Sequence, residues 1–385
     1  MYSNLIDFIR KLYNSSDQIQ LHEPFFNDKE KSILLEVIDS SFVSSVGEMI
    51  GAFEDRIKEY TGSQYAVATV NGTSALHIAI LLAGVEKNDE VITQSLTFVA
   101  TSNAIDYSRG VPVFLDVDKD SLSLSPDSLD SFLSKNCEVR NDGFCWNITS
   151  NRRIKSCIIM HTFGLSGRVE AIKLICEKYN IFLIEDAAES LGTKSLDGHT
   201  GTIADIGILS FNGNKIITTG GGGMILMQDE VLEQRARHLT TTAKVKHPWL
   251  FEHDRVGYNY RMPNLNAALG LAQIDKLPRF IEEKRKIANS YQIWGQDNNL
   301  NFAQELNNTV SNYWLNALIA ENIEARNEII KETNNNGIMT RPLWTPMHLL
   351  QMNQKYEAYS SMENTTWLFD RIVNVPSSFS EELNF

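Results

Sequence analysis

The chain has 385 residues, 43% hydrophobic and 22% charged, a composition that suits a globular protein with a large core. Its net charge of −13 argues against a nucleic-acid surface, although a local pocket can oppose that charge and hold a small anion. No apolar run approaches the ~18 residues of a membrane span, and no metal-ligating constellation stands out.

The N-terminal stretch "MYSNLIDFIRKLYNSSDQ" scatters charges among its apolar residues and lacks the core of a signal peptide. Cys137, Cys145, Cys157 and Cys176 show no CxxC spacing, so a reducing cytoplasm is expected. From residue 52, "FEDRIKEYTG" reads as a glycine-stopped helix and "YAVATV" as a strand. "TSALHIAILLAG" (helix), "EVITQS" (strand), "TFVATSNAIDYSRG" (helix) and "VPVFLDV" (strand) follow. Next come "SCIIM" (strand), "RVEAIKLICEKYN" (helix), and the strands "IFLIE" and "IGILSF". Short apolar strands alternating with helices predict a mostly parallel sheet buried on both faces. The polar segment 137–156 reads as an exposed insertion.

Beyond about residue 260 the pattern changes to a long helix, "NLNAALGLAQIDKLPRFIEEKRKIANSYQIW". The strand "YWLNALIA", the helix "ARNEIIKETNNNG" and the strand "IMTRPL" then follow. Length and this change predict two domains, a large α/β domain over 1–260 and a smaller α+β domain over 261–385.

Ligands of open α/β sheets lie beyond the carboxyl ends of the strands, so the residues directly after each apolar run are the informative ones. "NGTS" places Gly72, Thr73 and Ser74 at a helix start, where free N–H groups attract phosphate or simply form an ordinary cap. Ser210 offers a further hydroxyl. Asp186 follows the apolar run Ile181–Ile184, and a carboxylate at the floor of a crevice calls for a cation. Phe98 offers a face for stacking. His161, after "SCIIM", faces the rim or serves as a satisfied core histidine. Lys215, in "SFNGNKIITTGGGG", precedes its glycines and so does not form a P-loop. An amine, a carboxylate for a pyridinium, a phosphate cradle and a stacking ring together describe a pyridoxal 5'-phosphate site.

These residues, with "NGTSALHIAI", "TFVAT", "EDAAES", "SFNGNKIITTGGGGM", "GYNYRMPNLNAALG" and "TRPLWTPMH", resemble the DegT/DnrJ/EryC1/StrS sugar aminotransferases from about residue 22 to 350. The resemblance implies a fold-type I transferase of the aspartate aminotransferase superfamily, a homodimer with its site at the subunit interface. It makes Lys215 similar to the imine-forming lysine and Asp186 to the pyridine-nitrogen partner. It places Phe98 on the ring, Thr73 and Ser210 on the phosphate, and Asn259 on the phosphate of the partner subunit. Glu189 stands where the family often has glutamine near the phenolic oxygen, and Gly221 where many relatives read "TGEGG". Members with histidine at the lysine position act as dehydratases, so Lys215 favours transamination. Glutamate is the expected donor. "FVSSVGEMIGAFE", "TTGGGG" and "TRPLWTPMH" look most like the branch acting on UDP-linked 2-acetamido-4-keto-6-deoxyhexoses, on the way to bacillosamine or legionaminic acid. GDP- or dTDP-linked keto-deoxysugars are the alternative acceptors, and a non-catalytic cofactor-binding protein is the alternative class. Tyr258, Arg261, Arg341, Trp344 and His348 are the candidate substrate contacts, with Trp344 equally read as packing between domains.

Overall fold

The computed structural model describes residues 2–356, 358–359 and 361–385. In chain order the first part runs α1 (Ser3–Leu12), α2 (Asp28–Ser40), α3 (Glu48–Thr61), β1 (Tyr65–Thr69), α4 (Gly72–Leu82), β2 (Glu90–Gln94), α5 (Val99–Tyr107) and β3 (Val111–Leu115). Next are α6 (Pro126–Asn136), β4 (Cys137–Val139), β5 (Cys145–Asn147), β6 (Arg152–Met160), α7 (Val169–Lys178) and β7 (Phe182–Asp186). The small ladder β8 (Lys194–Ser195) and β9 (Gly198–His199) leads to β10 (Ile206–Ser210), β11 (Gly223–Met227), α8 (Glu230–Thr240) and α9 (Asn264–Ile274). The rest is α10 (Leu277–Asp297), β12 (Asn301–Phe302), β13 (Asn316–Ile319), α11 (Ile323–Asn335), β14 (Arg341–Pro342), α12 (Glu363–Phe369) and β15 (Ile372–Val375).

The large sheet has the order β1-β11-β10-β7-β6-β2-β3. It is parallel from β10 to β3, and β11 lies antiparallel between β1 and β10. Its strands read as continuous apolar runs because both faces are covered by helices. Strand β11, "GMILM", is buried throughout and escapes sequence reading because it starts inside the glycine run. Gly223 opens it for a packing reason: a Cβ there would lie 2.5 Å from the Asn71 backbone.

Segment 137–156 is largely exposed, as its polarity predicts, but it is structured rather than irregular. β4 and β5 form a hairpin that extends the sheet antiparallel to the start of β6, and Asn147 is buried there, donating to Glu90 Oε2 at 2.9 Å. The long helix read after residue 260 is two helices, broken at Asp275–Lys276 with a proline in the first turn of α10. Helix α9 packs on α2 and α3. The N-terminus also differs from its expected place. Leu5, Ile9 and Leu12 share one face of α1 and join a core with Tyr291, Leu318, Ile329 and Val373, beside the four-stranded sheet β12-β13-β15-β14. Ile19 then bridges to Ile338, donating to Gly337 O at 2.9 Å. Among the described residues, no helix is long and apolar enough to cross a membrane.

Lys284 on α10 is fully buried, and its ammonium donates to Trp314 O at 3.0 Å and Ser377 O at 2.5 Å. Burial lowers its pKa from 10.5 to about 7. Between those values the unfolded chain holds a proton that the folded chain has lost, so stability rises with pH across this window. Lys284→Met removes the group and should flatten the rise in melting temperature between about pH 7 and pH 9. Equal slopes in the two proteins would contradict a depressed Lys284.

Candidate active site

Two carboxylates follow one another at the end of β7, and strand alternation sends them to opposite faces of the sheet. Glu185 accepts hydrogen bonds from His161 Nε2 at 3.0 Å and from the amides of Gly201, Ile203 and Ala204 at 2.7, 2.8 and 2.7 Å. Burial alone would raise its pKa, but the bond from His161 and these amides bring it below the usual value. Among the described residues, Asp186 accepts only from the Thr101 hydroxyl at 2.8 Å and the Ala188 amide at 3.2 Å. Burial outweighs these two, and its pKa is raised. One carboxylate is satisfied by the protein, whereas the other still calls for a cation.

Asp186 lines a cavity of about 360 Å³, together with Lys215, Glu189, Phe98, Trp314 and Trp344. The lysine stands on the loop after β10. That loop folds back on itself, with Phe211 N donating to Gly222 O and Thr219 N to Phe211 O. Lys215 Nζ lies 3.2 Å from Glu189 Oε1 and 4.1 Å from the centroid of the Trp314 ring. Glu189 Oε2 accepts from the amide of Phe163, which sits in the left-handed region at φ 58°. Burial raises the Glu189 pKa, and Lys215 opposes that. A carboxylate in this place is the lysine's counter-ion.

The opposite end of the cavity is the N-terminus of α4. Asn71 caps the helix by accepting from Ser74 N at 2.7 Å, and Gly72 and Thr73 line the cavity. Gly72 faces Ser210 so closely that a Cβ on it would lie 2.9 Å from the serine Cβ. Among the described residues, nothing hydrogen-bonds the hydroxyls of Thr73 or Ser210. Free amides, two free hydroxyls and a glycine that keeps the approach open suit an anion.

Of the residues singled out in the sequence, Gly72, Thr73, Phe98, Asp186, Glu189, Ser210, Lys215 and Trp344 converge on this cavity. Trp344 packs against Phe98 and Phe163, with centroids 5.8 and 5.2 Å apart. The others do not line it. Ser74 is buried behind the cap. His161 is the core histidine of Glu185, its Nδ1 accepting from Gly167 N at 3.1 Å. Arg341 lies exposed on short β14 and bonds Asn334 Oδ1 at 3.1 Å. His348 holds Ser95 Oγ at 2.6 Å and so fastens its segment to the end of β2. Tyr258 stacks on Tyr260 at 5.1 Å, Asn259 is exposed, and the buried Arg261 Nε has no hydrogen-bond partner among the described residues. Sequence reading missed Thr101, Asn214 and Trp314. Thr101 stands one turn into α5, within the quoted "TFVAT". Trp314 lies about 100 residues beyond the lysine and carries no local signal.

Whatever satisfies Asp186 must bring a positive charge, and whatever occupies the α4 terminus must bring a negative one. Pyridoxal 5'-phosphate carries both on one ring, with an aldehyde for an amine, and the sheet and smaller second domain are those of fold-type I transferases that use it. The chain belongs to the DegT/DnrJ/EryC1/StrS aminotransferase family, whose sequence pattern matches residues 25–382. It is 34% identical over 365 residues to EpsN of Bacillus subtilis (strain 168), which is named for pyridoxal phosphate-dependent aminotransfer; the match covers 94% of this chain and 91% of EpsN. It is also 34% identical over 364 residues to the GDP-perosamine synthase of Escherichia coli O157:H7, covering 93% of each chain. The crystal structure of the aminotransferase TlmJ from Streptoalloteichus hindustanus superposes with a TM-score of 0.83 at 26% identity, over 94% of this chain and 93% of that one.

Gly72→Ala should weaken the binding of pyridoxal phosphate to cofactor-free protein at least about tenfold, or ~1.4 kcal/mol. Fluorescence titration measures it. An unchanged affinity would separate Gly72 from the phosphate.

Proposed function

We propose that the protein transfers an amino group from glutamate to the keto carbon of a nucleotide-linked deoxysugar, with Lys215 and Asp186 as its catalytic residues. The observation that carries this is the meeting of Lys215, Asp186 and the α4 N-terminus in one cavity. When bound, the cofactor supplies an aldehyde carbon that condenses with an amine, releasing water, and a ring that takes up the electron pair left when the substrate carbon loses its proton.

The chain's residues divide the remaining work. Gly72, Thr73 and Ser210 hold the phosphate through amides and hydroxyls. Asp186 keeps a proton on the ring nitrogen, which in turn meets the demand of its own buried charge. The freed Lys215 amine moves the proton between substrate and cofactor carbons as general base. Glu189 anchors that amine between its excursions. Phe98 and Trp344 form an apolar wall of the cavity.

For the acceptor, the relatives named GDP-perosamine synthase support a GDP-linked keto-deoxysugar over the UDP-linked acetamido sugar suggested by the sequence motifs. We further propose a cytoplasmic homodimer, in which Asn259 reaches the partner's cofactor phosphate. Its exposure outside its own cavity supports this, as do the nearby exposed Trp249, Phe251 and Val256.

Lys215→Ala should abolish turnover and the visible absorbance of the lysine-linked cofactor; wild-type rates would end the assignment. Glutamate should bleach that band in the native enzyme. In a panel of GDP-, UDP- and dTDP-linked 4-keto-6-deoxy sugars, the GDP compound should restore it fastest. Restoration by the UDP-acetamido sugar alone would reverse the choice of acceptor.

A further inference from the structure

Trp314 is where the second domain reaches the lysine. It lies two residues ahead of β13, yet its ring lines the cavity and carries Lys215 Nζ 4.1 Å from its centroid. Three hydrogen bonds hold it. Its amide donates to Asn312 Oδ1 at 2.8 Å, its carbonyl accepts from Lys284 Nζ at 3.0 Å, and its indole N–H donates to Asn214 O at 2.7 Å. Asn312 in turn donates to Glu189 O and Leu191 O, both at 2.9 Å. The tryptophan is therefore tied to the loop that bears the amine and to the segment that bears its carboxylate.

Near the ring lies His22, 6.3 Å away between centroids, and among the described residues neither of its ring nitrogens has a hydrogen-bond partner. The titratable groups around the amine are thus Glu189 and Asp186, which line the cavity, together with Lys284 and with His22, whose pKa burial pushes well below its ordinary value. A lysine has four rotatable carbons and a compact charge, so one carboxylate contact leaves its stem loosely held. An aromatic face under the ammonium is a second, attractive contact.

We propose that Trp314 is a positioning residue for Lys215: its ring face supports the amine while that amine is free. The second domain thereby sets where the amine stands. This rests on Lys215 being the linking amine. Restricting the amine to one region raises its effective concentration at the carbon it must reach, and small displacements at such a centre are costly in rate.

The test uses cofactor-free full-length protein carrying Trp314→Leu or Trp314→Phe. The affinity for pyridoxamine phosphate, which binds but cannot be linked, reads the site's integrity. The rate at which pyridoxal phosphate becomes lysine-linked, followed by stopped-flow absorbance, reads the amine's position. Leucine should slow linkage at least about tenfold while the pyridoxamine phosphate affinity stays within about threefold. Phenylalanine, which keeps the face, should recover most of that rate. Linkage in the leucine variant within about threefold of wild type would overturn the proposal, as would an equal loss of both readouts or a phenylalanine no better than leucine. Where leucine impairs folding, Trp314→Met carries the same comparison. Lys215→Ala is run in parallel: a linked band in that variant would defeat the lysine assignment, whereas its absence alongside an unaffected Trp314→Leu would defeat only the role of the tryptophan.

Discussion

The site depends on one buried charge that the protein leaves incompletely neutralised. Asp186 has a hydroxyl and one amide where its neighbour Glu185 has a histidine and three amides. A buried carboxylate in that state is expensive unless a cation arrives. The fold tolerates the cost at the carboxyl end of a central parallel strand, where successive loops converge and a ligand can repay it. The difference between two adjacent carboxylates thus separates one satisfied by the protein from one left short of partners.

Around that charge the two domains contribute unequal parts. The large sheet domain supplies the α4 N-terminus, the Asp186 carboxylate and the lysine loop. The second domain supplies the tryptophan beneath the amine, held from behind by a buried lysine whose own charge is depressed by burial. The N-terminal helix stabilises that second domain rather than the first, because its apolar stripe completes a core that α10 and the small sheet leave open. Cofactor site and domain packing are therefore one hydrogen-bonded unit through Asn214, Trp314 and Lys284.

Much of this was legible in the amino-acid order. Apolar runs such as "YAVAT", "EVITQ" and "FLIED" are strands because a sheet covered on both faces demands continuous hydrophobicity, and the residues just past them are the cavity residues. Lys215, Asp186, Ser210, Phe98 and Gly72 could be named for that reason alone, whereas Glu189 was named only through the family resemblance. Residues placed by motif position without a strand end to anchor them fared differently. His161 does follow a strand, but its ring satisfies Glu185, and Arg341 points its hydrogen bonds at α11. Strand β11 and the hairpin β4–β5 were hidden because glycines and polar residues carry no periodicity.

By itself, then, the sequence determined the large sheet's parallel strands, the chemistry gathered at their ends and hence the cofactor class, since local hydrophobic pattern and side-chain type are both written residue by residue. Tertiary structure alone decided which of two consecutive carboxylates stays unsatisfied, which core the first helix joins, and that a tryptophan about a hundred residues away lies against the lysine. Those are contacts between distant segments, and their energies depend on burial and on partners that no local stretch of chain contains.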